Sequence, residues 1–424
     1  MRTLILRRLD KYKLKRRDCK TQFLFYGMTN RFLAISLTIT HNKNNLISMK
    51  RRTFFKNLSL AGTSALAGGC ATVEKKSKGV KPVKRVDGKG DPRMRGPFPI
   101  LSTPFTESGE VDYNTLACEA KFVSDCGCNM IWPQSNAAID LLSTEEKFKG
   151  MQVIADALQG SKSTVAFGCN GKNIEHMVEH VKHVESLADK YKNTNIALIS
   201  RPADNTQNQE DAKKYFLELE KHTSRPTIIQ TVGGNSCKIK AIDVDILIDL
   251  AKRNPKVFGY IKEETGNAEE CNLRMRKEIS AKPIIHTVYS AWGGWQWLYQ
   301  MRRIGSEGLV SERAVYADLL AYIWEQVENG DINGTLSDAF SKLLLAYNFS
   351  YYAKGGTSGD LRGAHLYVFQ KRGVFKNRLS REYIKKNRKL IVPQTPIIKD
   401  CKLTQQQIDE IDTCLETISK YFKV

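Results

Sequence analysis

The 424-residue sequence has no long apolar run free of charge. The apolar stretch 23–40 is broken by Arg31, which argues against a membrane span, since a spanning helix needs about 20 predominantly apolar residues. No glycine-rich phosphate loop follows any predicted strand, so a doubly wound nucleotide-binding sheet lacks its signature. The ten cysteines show no ligand-like pairing. Cys126-Gly127-Cys128 is the one close pair, and it falls where a helix meets an apolar strand, the setting of buried structural thiols. A chain of this length builds its own core without a disulfide framework. Charge of one sign is also missing where it would matter. The formal net charge is +21, but residues 1–96 carry 24 Lys/Arg against 5 Asp/Glu, leaving 42 against 40 for 97–424. The folded part therefore has no electrostatic footprint for nucleic acid.

The basic N-terminal region has its own pattern. Lys50-Arg51-Arg52-Thr53-Phe54-Phe55-Lys56 has the form of a twin-arginine export signal, followed by a modest apolar stretch and Ala67-Gly68-Gly69-Cys70. The order basic, apolar, small is that of a signal peptide. Residues 49–70 are read as this signal, which implies the twin-arginine export machinery as a partner and an exported protein, periplasmic or tethered as a lipoprotein through Cys70. Residues 1–48 read as a leader or a mis-assigned start upstream of Met49. Residues 71–96, rich in Lys, Gly and Pro, read as a solvated linker.

From 97 onward, short apolar runs recur at roughly thirty-residue intervals, each followed by a helical pattern. The runs are 99–102, 129–132, 164–168, 195–200, 226–231, 257–262, 283–289 and 307–311. They are continuous rather than alternating, as strands buried on both faces should be. Eight strands alternating with helices predict an α/β fold, a (β/α)8 TIM barrel over 97–315. Residues 316–424 then supply the last barrel helix and a C-terminal helical domain, with helices at 316–330, 338–349, 364–373 and 403–422, the last capped by Thr404.

Lys262 ends the sixth run. A lysine at the end of a buried strand is costly unless its charge is paired or its amine is used. In a barrel, strand C-terminal ends carry the chemistry, and a neutral amine attacks carbonyl carbon. The alternative is a structural lysine paired with Glu263 or Glu264.

The chain from 98 to 422 resembles the dihydrodipicolinate synthase/N-acetylneuraminate lyase family. The matching residues are Leu101-Ser102-Thr103-Pro104-Phe105 with Gly109 and Val111-Asp112; Leu142-Ser143 with Glu145-Glu146; Pro226-Thr227-Ile228-Ile229; Phe258-Gly259-Tyr260-Ile261-Lys262; Glu307-Gly308-Leu309-Val310-Ser311; and Asn329-Gly330-Asp331. The resemblance implies a barrel with a C-terminal helical domain, a homo-oligomer (commonly a tetramer), and class I aldol chemistry through a lysine imine at Lys262, with no other cofactor. The family's threonine-bearing carboxylate loop falls on Gln134-Ser135-Asn136-Ala137-Ala138, where Ser135 and Asn136 can still donate to a keto-acid carboxylate. The proton-relay tyrosine of the fifth strand falls on Gln230, and its supporting tyrosine on Ala203 or Asp204. Glutamine orients but does not titrate.

Asp204, Glu263, Glu264 and Tyr289 are the nearest titratable residues by strand-end position. Arg201 suits a bidentate carboxylate clamp, or a salt bridge across the mouth. Gly293, after the seventh strand, falls beside the family's substrate, and Trp292, Trp295 and Trp297 suit stacking on a sugar or helix packing. His176-Met177-Val178-Glu179-His180 matches the letters of an inverted zincin motif, but the apolar stripe Ile174, Met177, Val181, Val184 turns these histidines toward solvent, so no metal site is expected. The sequence thus points to an exported lyase or aldolase-type enzyme acting on a small-molecule 2-keto acid or sugar acid. The alternative is a non-catalytic barrel that binds a carbohydrate acid.

Overall fold

The computed structural model describes residues 90–423, except 135–136, 235, 312–313, 331–333, 349–362 and 387–388. The leader, the export signal, most of the linker, and Ser135 and Asn136 lie outside the described residues.

Eight strands form one parallel sheet: β1 (Gly96–Pro99), β2 (Met130–Trp132), β3 (Thr164–Gly168), β4 (Asn195–Ser200), β5 (Thr227–Gln230), β6 (Tyr260–Lys262), β7 (Thr287–Ser290) and β8 (Gly308–Ser311). Their spatial order is β1-β8-β7-β6-β5-β4-β3-β2, and a parallel bridge between Ile100 and Ile131 joins the two ends. The outer ring is α1 (Tyr113–Asp125), α2 (Thr144–Ala157), α3 (Ile174–Lys190), α4 (Gln209–Glu220), α5 (Val244–Arg253), α6 (Ala268–Ser280), α7 (Trp297–Tyr299, running into a π turn Gln300–Ile304) and α8 (Ala317–Glu328). This is the expected TIM barrel.

Strand alternation sorts the core into two parts. Phe98, Ile100, Ile131, Ala166, Ala197, Ile199, Ile228, Tyr260, Tyr289 and Val310 pack inside the barrel, while their neighbours along each strand, such as Leu198, Ile229, Ile261 and Val288, pack under the helices.

Four boundaries differ from the sequence reading. The first strand runs Gly96–Pro99 rather than 99–102, since its pairing with β8 begins at Gly96. The linker assigned to 71–96 ends earlier, because Asp91 caps the turn Pro92–Met94 and Met94, 1 % exposed, plugs the barrel floor. There the Tyr289 hydroxyl donates to the Met94 carbonyl, and the Asp91 N–H donates to the Tyr260 hydroxyl at 3.0 Å. The sixth strand begins at Tyr260, since Pro255 starts a helical turn, Pro255–Phe258, that buries Val257 and Phe258. The seventh begins at Thr287, because 281–286 is spent on turns that return the chain to the sheet.

After α8 come α9 (Gly334–Asn348), α10 (Gly363–Lys371) and α11 (Gln405–Ile418). The sequence reading missed two antiparallel pairs between α10 and α11: β9 (Leu379–Glu382) with β12 (Ile397–Asp400), and β10 (Ile384–Lys386) with β11 (Lys389–Ile391). These strands are short and charged, so they carry little apolar signal. Arg381 in β9 is buried and donates to the carbonyls of Gly109 (2.7 Å) and Leu141 (2.8 Å) and to Glu146 (2.9 Å). It ties the C-terminal part to the loops after β1 and β2.

Tyr289→Phe removes the buried donor to Met94 and strands its carbonyl. It should lower unfolding free energy by about 1–3 kcal/mol in denaturant titration. Unchanged stability would show that this bond does not hold the barrel floor.

Candidate active site

The strand ends bring two groups of side chains to the C-terminal rim of the barrel. The first is centred on Lys262, the last residue of β6, which is 6 % exposed. Period-two alternation points Tyr260, Lys262 and Glu264 inward and Ile261 and Glu263 outward. The Lys262 Nζ lies 2.8 Å from Glu264 Oε2. Glu263 is fully buried behind the strand, 2.9 Å from the Arg274 Nε, and accepts from the Thr231 hydroxyl at 3.2 Å and the Thr265 N–H at 2.7 Å. Of the two glutamates that follow it in the chain, Glu264 is thus the lysine's partner and Glu263 a structural anchor. Burial, and then the Glu263 carboxylate, raise the pKa of Glu278 well above the ordinary carboxylate range.

Gln230 ends β5 directly opposite Lys262 in the strand register. Its Oε1 accepts from Gln134 Nε2 at 3.3 Å, so an amide pair spans the mouth from the loop after β2 to β5. That loop is held by Thr103, whose hydroxyl donates to the Ala137 carbonyl at 2.6 Å and accepts from the Trp132 indole at 3.2 Å. Tyr289 faces Lys262 in register, but its hydroxyl is committed to the barrel floor, which removes it as a relay.

The second group lies over β2 to β4. Arg201 and Asp204 pair with each other at 3.9 Å and line a cavity of about 330 Å³ together with Asn170, Lys147, Lys172 and His176. Lys262 does not line it. Arg201 and Asp204 thus share this cavity, which Lys262 does not enter. No motif singles out Lys147, Asn170 or Lys172; only their places in the first turn of α2 and the loop after β3 mark them. Gly293 is buried after β7 with φ of +68°, a backbone that favours glycine, and its carbonyl accepts from the Ser311 hydroxyl at 3.5 Å. Trp292 and Trp295 are exposed at the rim, whereas Trp297 is core.

The histidines of α3 do not face solvent as expected. His180 is 1 % exposed, and His183 stacks on Phe148 of α2 at 3.9 Å between ring centroids. The face packs against α2 because neighbouring outer helices bury more than one apolar stripe. Ligand atoms of His176, Glu179 and His180 lie within 4.8 Å of one another, but the His180 Nδ1 is held by the His176 carbonyl at 2.8 Å, and the Lys172 N–H donates to the His176 Nδ1 at 3.3 Å. Lys147 and Lys172 both depress the pKa of His176 after burial does, a field that opposes a cation.

The model of the dihydrodipicolinate synthetase family matches residues 93–346. A 4-hydroxy-tetrahydrodipicolinate synthase of Bartonella bacilliformis is 25 % identical over 273 residues, covering 63 % of this chain and 85 % of the relative. One from Chlorobaculum parvum is 25 % identical over 223 residues, 52 % of this chain and 70 % of the relative. Among solved structures, dihydrodipicolinate synthase of Aquifex aeolicus has a TM-score of 0.60 at 17 % identity, covering 78 % of this chain and all of its own. N-acetylneuraminate lyase of Proteus mirabilis has a TM-score of 0.57 at 15 % identity, over 78 % of this chain and 99 % of that one.

Burial lowers the His180 pKa from the ordinary 6.5 to about 4. Between those values the unfolded chain binds the extra proton, so stability falls as pH drops through that window and is restored above it. Denaturant titrations should show a loss of about 2 kcal/mol from this group between pH 7 and 5, with a shallower loss in His180→Gln. An equal loss in the variant would assign the acid lability elsewhere.

Proposed function

Because the chain belongs to the dihydrodipicolinate synthetase family, we propose that it is a class I lyase or aldolase-type enzyme in which Lys262 forms an imine with a 2-keto acid. The observation that carries this reading is the buried Lys262 amine at the barrel's reactive rim, with one carboxylate, Glu264, 2.8 Å away. An ammonium does not attack a carbonyl. Glu264 takes its proton, the freed lone pair bonds to the keto carbon while the carbonyl oxygen takes a proton from the attacking nitrogen, and Glu264 returns its proton to that hydroxyl as water leaves. The resulting iminium accepts the electron pair of the neighbouring carbon–carbon or carbon–hydrogen bond. Cleavage, condensation or dehydration follows from that one intermediate, and hydrolysis returns the free lysine.

Gln230 and Gln134 contribute hydrogen bonds but no proton, so the proton traffic falls to Glu264. The same lack of a titratable side chain at Gln230 favours the competing reading, a barrel that binds a carbohydrate acid without turnover. Ser135 and Asn136 are the proposed carboxylate donors, and Gly293 the close backbone approach to substrate. The exposed Trp292 and Trp295 suit a sugar-derived substrate. A homo-oligomer, tetrameric by family resemblance, and export through the twin-arginine route belong to the same proposal.

Borohydride reduction with pyruvate and sugar-derived keto acids should leave an adduct on Lys262, identified by peptide mass analysis. Glu264→Gln should slow trapping by about 10²-fold. Absence of any adduct across the panel would favour the binding-only reading. The export proposal predicts that residues 49–70 fused to a folded reporter carry it out of the cytoplasm, and that replacing Arg51 and Arg52 by lysine stops it; export unaffected by that change would exclude the twin-arginine route.

A further inference from the structure

The cavity over β2 to β4 has a chemistry that the lysine mechanism does not use. Lys147 and Lys172 line it, and no carboxylate among the described residues pairs with either ammonium. Arg201 contributes a third cation, paired loosely with Asp204 at 3.9 Å. Asp140 also lines the cavity, where its carboxylate accepts from the Tyr383 hydroxyl at 3.3 Å. The cations outnumber the carboxylates.

A second observation points the same way. Asn170 is 9 % exposed; its Oδ1 accepts from the Arg201 N–H at 3.1 Å, but its buried Nδ2 has no hydrogen-bond partner among the described residues. A buried donor left unpaired costs about 1–3 kcal/mol, which an acceptor in the cavity would recover. The starts of two long helices add to the field. Ser143 and Thr144 at the start of α2, and His176 in the first turn of α3, line the same cavity, so the positive ends of both helix dipoles meet there.

We propose that this cavity binds a second anionic group, a carboxylate or a phosphate, at the end of the substrate remote from its keto acid. The inference rests on the imine reading of Lys262. Arg201 follows β4 and Lys262 ends β6, two strand spacings away, so the two ends lie about 10 Å apart. Between them stands the Gln134–Gln230 amide pair, whose groups can bond hydroxyls along the connecting chain. The substrate is then a dianionic keto acid, a keto-diacid or a phosphorylated sugar acid, rather than a small monoanion such as pyruvate.

The test compares half-saturation of borohydride trapping for probes matched in length. The six-carbon dianion 2-oxoadipate is set against monoanionic 2-oxohexanoate, and a 6-phosphorylated 2-keto-3-deoxy sugar acid against its unphosphorylated form. The dianion of at least one pair should half-saturate at about tenfold lower concentration, the worth of one charge-assisted contact. Which pair shows it separates carboxylate from phosphate. Lys147→Met and Lys172→Met, checked for folding by thermal melting, should each bring that ratio toward one. A ratio near one in the parent protein, or a preference unchanged in both variants, would overturn the proposal. If no keto acid is trapped at all, the imine reading fails separately. Calorimetry of glutarate and inorganic phosphate with Lys262→Ala then decides the cavity alone: saturable binding abolished by Lys147→Met supports it, and no binding, or binding indifferent to that change, overturns it.

Discussion

The organising constraint is the two-residue alternation of strands in a closed parallel sheet. Once β1 meets β2, every strand residue faces either the barrel lumen or the helices. At β6 this rule separates three consecutive charged residues. Lys262 and Glu264 enter the mouth, where they pair, and Glu263 is forced outward, where Arg274 meets it. A shift of register by one residue would bury two unpaired charges and expose the amine to the helices. The buried charges of this strand are therefore tolerated only in the register that also arms the rim.

Much of the architecture could be read from the sequence, since continuous apolar runs at regular spacing leave few alternatives to a barrel. Position along a strand was legible too: Lys262 could be placed at a rim without knowing what surrounds it. Its partner could not, because choosing between Glu263 and Glu264 depends on whether the two-residue alternation continues past the end of β6 at Lys262. The histidines of α3 failed for a related reason. Periodicity identifies the most apolar face, but not how far a neighbouring helix wraps around it, and Phe148 of α2 takes up the His180 and His183 rings.

The two rim groups divide the electrostatic labour. Around Lys262 there is one carboxylate for one ammonium and a pair of neutral amides. Over β2 to β4 there are several cations with incomplete pairing and an idle amide donor. The first arrangement can move a proton without building up charge, and the second can hold a charge without moving a proton. The amide pair of Gln134 and Gln230 lies where one field gives way to the other.

Arg381 has a consequence for the order of assembly. The last barrel strand ends at Ser311, yet the loops after β1 and β2 are pinned by a guanidinium from a residue 240 positions beyond Leu141. At ordinary synthesis rates of about 5–20 residues per second, roughly 10–50 seconds separate those two points on the ribosome. During that interval the sheet can close, but the loop that carries Gln134 is held by Thr103 and lacks its second clamp. The nascent chain thus acquires its scaffold well before its reactive rim is fixed in shape.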